Sequence, residues 1–174
     1  MTKQHKLPTR AEGIERLRTL YAVLAGVPAV YLNLRLIADI KDSPYTAEIP
    51  TVSMMVHRCG STACSMGFAA LYPEFVEQGL TMSGDESIFF HGKRGFDAAA
   101  LFFSLTVDES LTLFASESGR IIVDKELHRQ LHEGLHLGAS HKRIALHRIR
   151  RFLELTDAIT PERSAELAEI EKGY

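Results

Sequence analysis

Tryptophan is absent from this 174-residue chain, and cysteine occurs only twice, at Cys59 and Cys64. Two thiols make no disulfide framework, so stability has to come from an apolar core, and a reducing, cytoplasmic setting is expected. No apolar run reaches the roughly 20 residues that a membrane-spanning helix requires. The first ten residues are polar and lack the apolar stretch of a secretory leader. Positive charge is not in excess: 20 Lys and Arg face 22 Asp and Glu, for a formal charge of −2. A global field that would attract nucleic acid is therefore missing, although local patches stay open. No internal repeat and no low-complexity tract interrupts the chain. What remains is globular: 45% apolar and 24% charged residues, at a length that suits one domain. A chain of this size buries roughly 70% of its unfolded surface, enough for a core without covalent staples.

Helix punctuation is abundant. Thr9-Arg10-Ala11-Glu12 reads as a capping box that opens a helix to about Leu24, with Ile14, Leu17, Tyr21 and Leu24 on its core face. Gly26 and Pro28 end it. Ala29 to Ile40 is apolar-rich and reads as a short helix, although the alternation Val30/Leu32/Leu34 also fits a strand. Lys41 to Pro50 has loop chemistry, and Val52 to Val56 fits a strand or a helical turn. A helix from near Cys64 should break at Pro73, restart over Glu74 to Gln78 and stop at Gly79. Leu80 to Phe96 has hairpin character, with turns at Ser83-Gly84-Asp85 and at Gly92/Gly95. Phe96 to Leu105 predicts a buried apolar helix, and Thr106 to Glu109 a second capping box leading to Leu111 and Phe114. Ser116 to Gly119 is a loop, and Ile121 to Val123 a short strand. Helices are expected over Asp124 to Leu137, over His141 to Asp157 behind a Ser140 cap, and after Thr160-Pro161. The fold class is thus α+β and mostly helical: a compact helical domain with a small β-hairpin over residues 1–119, and a helical C-terminal extension over 120–174 packed on it.

Cys59-Gly60-Ser61-Thr62-Ala63-Cys64-Ser65-Met66-Gly67 concentrates two cysteines, two glycines and three hydroxyl residues just before an apolar run. Cys64 falls where a helix begins, and a thiolate there is stabilised by free amides and the helix dipole. One reading makes Cys64 a nucleophile, with His91 or His57 as base and Ser61, Thr62 or backbone amides as oxyanion donors. A second joins both cysteines to His57 and His91 around zinc, although Cys-x4-Cys is looser than the usual knuckle. The third takes them as small buried residues where loop and helix pack closely. A disulfide between them needs the loop to fold back.

This motif, followed by Ala98-Ala99-Ala100-Leu101-Phe102-Phe103-x-Leu105-Thr106-x-x-Glu109-Ser110-x-x-Leu113-Phe114, resembles a family of small uncharacterised phage and bacterial proteins that share Cys-Gly-Thr-x-x-Cys-x-x-Gly, an alanine-rich helix and a short Leu-Phe-terminated helix. Val27-Pro28 and Leu32-Asn33-Leu34 are similar to that pattern too. The resemblance spans about residues 10 to 116. Ser61 replaces the usual threonine, and Phe68 stands where tryptophan or histidine is common. It implies fold and a phage-related origin; it carries no activity.

Two further clusters are candidates. His128, His132 and His136 recur every four residues beside Leu127, Leu131 and Leu135, which places them on one helix face as a boundary stripe, a metal-chelating row or a pH-sensitive contact. Lys142, Arg143, His147, Arg148, Arg150 and Arg151 form a basic helix. It suits phosphate backbones, an acidic protein surface, or a solvated face paired with Glu154, Asp157, Glu162, Glu166, Glu169 and Glu171. No complete catalytic set and no cofactor emerges. The expected function is that of a non-enzymatic interaction protein, phage-derived and cytoplasmic, binding a protein partner or itself through the helical surface of residues 124–156. The alternatives are a cysteine-dependent hydrolase or transferase on Cys64 and a nucleic-acid binder using the basic helix.

Overall fold

The computed structural model describes residues 6–32, 38–39, 62–82, 87–115, 124–136 and 138–174. Helix α1 (Arg10–Gly26) opens on the Thr9/Glu12 capping box, both arms of which are made. A 3-10 turn follows at Ala29–Tyr31, and a two-residue pair joins β1 (Ala38–Asp39) to β2 (Thr62–Ala63). No longer helix occupies the described part of 29–40, because the turn ends at Leu32, whose backbone is extended. Helix α2 (Ser65–Leu71) stops at Tyr72, and Pro73 takes the first position of α3 (Pro73–Glu77), where its missing N–H costs nothing.

The hairpin region is a three-stranded antiparallel sheet of β3 (Thr81–Met82), β4 (Ile88–Phe90) and β5 (Lys93–Arg94), with Met82 opposite Ile88 and Phe90 opposite Lys93. His91 and Gly92 form the β4–β5 turn, with φ of 49° and 74°; two successive left-handed residues make the tight turn whose twist matches the strands. Gly95 belongs to the next helix rather than to this turn. Helix α4 (Gly95–Phe102) ends three residues before the expected Leu105, because Ser104 adopts a left-handed φ of 51° and the Leu105 amide closes back on the Ala100 carbonyl. Phe96 is exposed, not buried. Helix α5 (Val107–Phe114) opens on the Thr106/Glu109 capping box. The segments 41–50, 52–56, 83–85, 116–119 and 121–123, read above as loops, turns and strands, lie outside the described residues.

The C-terminal helices are α6 (Lys125–His132), α7 (His141–Leu155) and α8 (Pro161–Glu171), capped by Asp124, Ser140 and Thr160. Helix α7 touches α1, α5, α6 and α8 and buries ten of its fifteen residues. It is the element of residues 120–174 that packs on both α1 and α5. The apolar core is continuous from Leu17 to Leu167, and an edge-to-face cluster of Phe75, Phe90, Phe102 and Phe103 ties α3, the sheet and α4 together. Among the described residues, no helix is long and apolar enough to cross a membrane.

Candidate functional site

Cys64 is the N-cap of α2. Its Sγ accepts a hydrogen bond from the Gly67 amide at 3.4 Å, the place a serine or threonine hydroxyl ordinarily fills. The residue is buried, and burial pushes the thiol up; the backbone hydrogen bonds from Gly67 and Met66 oppose this without offsetting it. A sealed, protonated thiol is a poor nucleophile. His91 is exposed in the β4–β5 turn, where its ring packs edge-on against Phe90 at 4.5 Å. No hydrogen bond joins it to Cys64. The structure therefore gives Cys64 a capping role and His91 a turn role, and does not assemble them as nucleophile and base. His57, Cys59 and Ser61 lie outside the described residues.

Native Cys64 is accordingly expected to alkylate at neutral pH about a hundredfold more slowly than in the denatured chain, read by mass spectrometry at position 64. Cys64→Ser should keep the cap, whereas Cys64→Ala should cost about 1 kcal/mol in denaturant unfolding. Rapid native labelling would return Cys64 to the reactive class.

The histidine row does not survive as a row. Helix α6 ends at His132, Glu133 is its C-cap and Gly134 turns left-handed at φ 81°, so His136 is off the helix. His128 and His132 stack with ring centroids 4.0 Å apart. His132 Nδ1 lies 2.7 Å from the His128 carbonyl and donates to it, because Nε2 is needed as acceptor for Arg148 Nε and Nη2 at 3.1 and 2.9 Å. Both His132 nitrogens are engaged, and among the described residues no group of three potential ligands gathers as a metal would need.

The basic helix reverses its expected orientation. Lys142, His147, Arg148 and Arg150 are buried, and only Arg143 and Arg151 reach partly into solvent. Each buried cation fastens a different neighbour to α7. Lys142 Nζ donates to the Ala25 and Val27 carbonyls at 2.7 and 2.6 Å, closing the C-terminus of α1, and sits 3.3 Å from the centre of the Tyr174 ring. Arg148 reaches the Ala115 carbonyl at the end of α5 as well as His132 of α6. Arg151 reaches Gln130 and Glu133 on the α6 side. These side chains are not a phosphate-binding surface, because their donors are consumed inside the molecule.

Arg150 has the fullest set. Nε and Nη2 grip the two Glu171 oxygens at 2.8 and 3.2 Å, Nη1 donates to Glu154 and Ser164 at 2.6 and 3.2 Å, and Nη2 also meets His147 Nδ1 at 3.1 Å. Four of the five guanidinium N–H groups go to oxygen, and His147 Nδ1, which also lies 3.3 Å from a Glu171 oxygen, sits between the two charges. His147 Nε2 donates to the Glu133 carbonyl at 3.0 Å, and the Tyr21 hydroxyl lies 3.1 Å from the Leu167 carbonyl and 3.3 Å from Glu171. Burial alone would raise the Glu171 carboxyl, but hydrogen bonds and charge from His147 and Arg150 outweigh it and hold the group below the usual carboxylate range. Ser164, Arg151 and Arg150 do the same for Glu154 against its own burial. Burial and then the Glu171 charge push the Tyr21 phenol up.

Sequence reasoning placed Glu154 and Glu171 near these cations but missed Tyr21 and Ser164 as partners. Its available signal was spacing: Ser164, Leu167 and Glu171 fall on one helical stripe, so a glutamate occupies a core position of α8. It also missed an open cleft of about 520 Å³ between α1 and α3, lined by Glu12, Glu15, Arg16, Glu74 and Gln78. There Arg16 is already held by Gln78 and the Phe102 carbonyl and lies over the Phe102 ring. Searches for a matching family, a similar curated protein and a similar solved structure found none.

Proposed function

We propose that the protein is a cytoplasmic, non-enzymatic interaction protein that engages a protein partner or a second copy of itself through the outward face of its C-terminal helices. One observation carries this reading: the buried cations of α7 are turned inward, so the surface left outside is of mixed sign around an exposed apolar side chain. Helix α6 presents Glu126 paired with Arg129 at 2.6 Å, and Glu133 pairs with Arg151 at 2.9 Å. Leu155, one turn beyond Arg151, is 42% exposed. A rim of both signs around an apolar centre suits a protein surface better than a polyanion, which calls for one sign. The resemblance to small phage proteins supports a phage-derived origin and a host factor as the partner, by analogy with such proteins.

The test uses the full chain as immobilised bait, with bound proteins identified and their affinity measured. A partner retained by wild type and by Cys64→Ala should bind at least about tenfold more weakly to the combined Arg129→Glu, Glu133→Lys, Leu155→Asp variant. Equal binding by a folded variant would sink the reading.

A further inference from the structure

The second-copy arm of that reading can be made specific, and the inference below rests on it. Helix α8 is the last element of the fold, tied to α7 by the five residues 156–160. Its inward stripe is Ser164, Leu167 and Glu171, of which only Leu167 is a large apolar residue, while Ile170 is exposed. The groove that receives it, between α1 and α7, is demanding. The Arg150 fork needs a carboxylate, the Arg150/Glu154 pair needs a hydroxyl seven residues earlier, and the Tyr21 hydroxyl needs an acceptor between them. Left empty, the groove would leave the Arg150 fork, the Glu154 oxygen and the Tyr21 hydroxyl without these partners. It therefore calls for a helix reading Ser-x-x-Leu-x-x-x-Glu, and α8 is that helix.

The hinge is strained in the closed arrangement. Asp157, without the freedom of glycine, holds a left-handed φ of 52° so that the Ala158 amide can close on the Leu153 carbonyl at 2.8 Å. Five residues released from this turn reach about 17 Å, enough to hand α8 to a neighbouring molecule. We propose that α8 exchanges between two copies of the chain, each supplying Ser164, Leu167 and Glu171 to the α1/α7 groove of the other. Every groove contact is kept in the exchanged dimer and the Asp157 strain is released, at the cost of the Ala158 amide bond to the Leu153 carbonyl and the Arg18 contact to the Ala158 carbonyl.

Light scattering on the full chain reads the mass against the 19.4 kDa of one copy. Wild type is expected to show a slowly interconverting dimer. Asp157→Gly, which relieves the strain without exchange, should lower the dimer fraction about tenfold. A Gly-Ser insertion after Ile159, which eases docking within one chain, should lower it as well. Arg150→Glu and Glu171→Arg each set like charges together within a chain; refolded as a mixture, they should form a one-to-one dimer in which both grooves hold opposite charges. A wild-type dimer indifferent to Asp157→Gly and to the insertion overturns exchange while leaving association through another face standing. Monomers throughout, with no mixed dimer, overturn exchange and the second-copy arm together, and the protein-partner arm is then decided by the bait experiment alone.

Discussion

Replacing Arg150 with methionine is expected to lower the unfolding free energy by about 3–5 kcal/mol, the range for breaking one side of a buried, hydrogen-bonded ion pair. The residue is 8% exposed and Glu171 is 3% exposed, so solvent does little to screen the loss. Four hydrogen bonds to oxygen disappear at once, and the Glu171 carboxylate is left in the core with only Tyr21 and His147 beside it. Lysine should not rescue the site, because three donors on a flexible stem cannot reproduce the five-donor fork. Urea unfolding by circular dichroism measures the difference, and a loss below about 1 kcal/mol would show that the network is ornamental. Replacing both Arg150 and Glu171 by leucine or methionine should recover much of the deficit, since a buried pair is often no more stabilising than well-packed apolar side chains. What the pair supplies is register: it fixes which turn of α8 meets which turn of α7.

The same network sets the acid limb of stability. Glu171 is held below its ordinary pKa in the folded protein. Its contribution is therefore fully present above the unfolded value of about 4.3 and is lost as pH falls through the depressed folded value. Glu171→Gln should flatten that limb while leaving the neutral-pH side of the curve nearly parallel to wild type.

These expectations differ from what the basic run suggests in isolation. Lys142, Arg148 and Arg150 read as a solvated or phosphate-binding face because charge normally sits outside, and one helix considered alone has an outside. Helix α7 has almost none, since α1, α5, α6 and α8 surround it. Its cations are tolerated inside because each meets the carbonyl end of a helix or a carboxylate, and apart from Glu154 those partners lie between 21 and 117 residues away in the chain. Local signals fared better. The Thr9/Glu12 and Thr106/Glu109 boxes, the Pro73 break and the Ser140 and Thr160 caps involve residues within one turn of each other, so the sequence alone contains both halves of each interaction. Where helices end was harder. Ser104 and Asp157 terminate α4 and α7 in left-handed conformations without being glycine, and no composition rule flags them. For Cys64 the position at a helix start was legible, but its reactivity was not. The dipole argument favours a thiolate, burial opposes it, and burial depends on packing that the local motif does not encode.

Gly13→Ala should be the most damaging conservative substitution in α1. On propensity alone alanine would gain about 1 kcal/mol over glycine in a helix interior. Packing decides otherwise. A Cβ at position 13 would sit 2.0 Å from the Phe103 carbonyl oxygen, 2.5 Å from its carbon and 2.8 Å from Ser104 Cβ. The first two are backbone atoms of the α4–α5 turn and cannot swing aside as a side-chain tip would. Relief requires α1 to move off the turn, and that motion pulls on Arg10, whose guanidinium holds the Ser104 carbonyl at 2.7 Å and Glu109 at 2.8 and 2.9 Å. Overpacking of this kind is expected to cost about 3 kcal/mol net, a fall in midpoint of about 6–12 °C for a chain of this length. Gly26 at the other end of the same helix is the control. A Cβ there meets nothing within 4 Å, and its φ lies outside the left-handed range, so Gly26→Ala should be neutral or raise stability by about 0.5–1 kcal/mol through the unfolded chain. Thermal unfolding of the two variants side by side separates close approach from helix propensity. A fall of less than about 2 °C for Gly13→Ala would mean that α1 does not press on the Phe103–Ser104 turn as closely as its glycine allows.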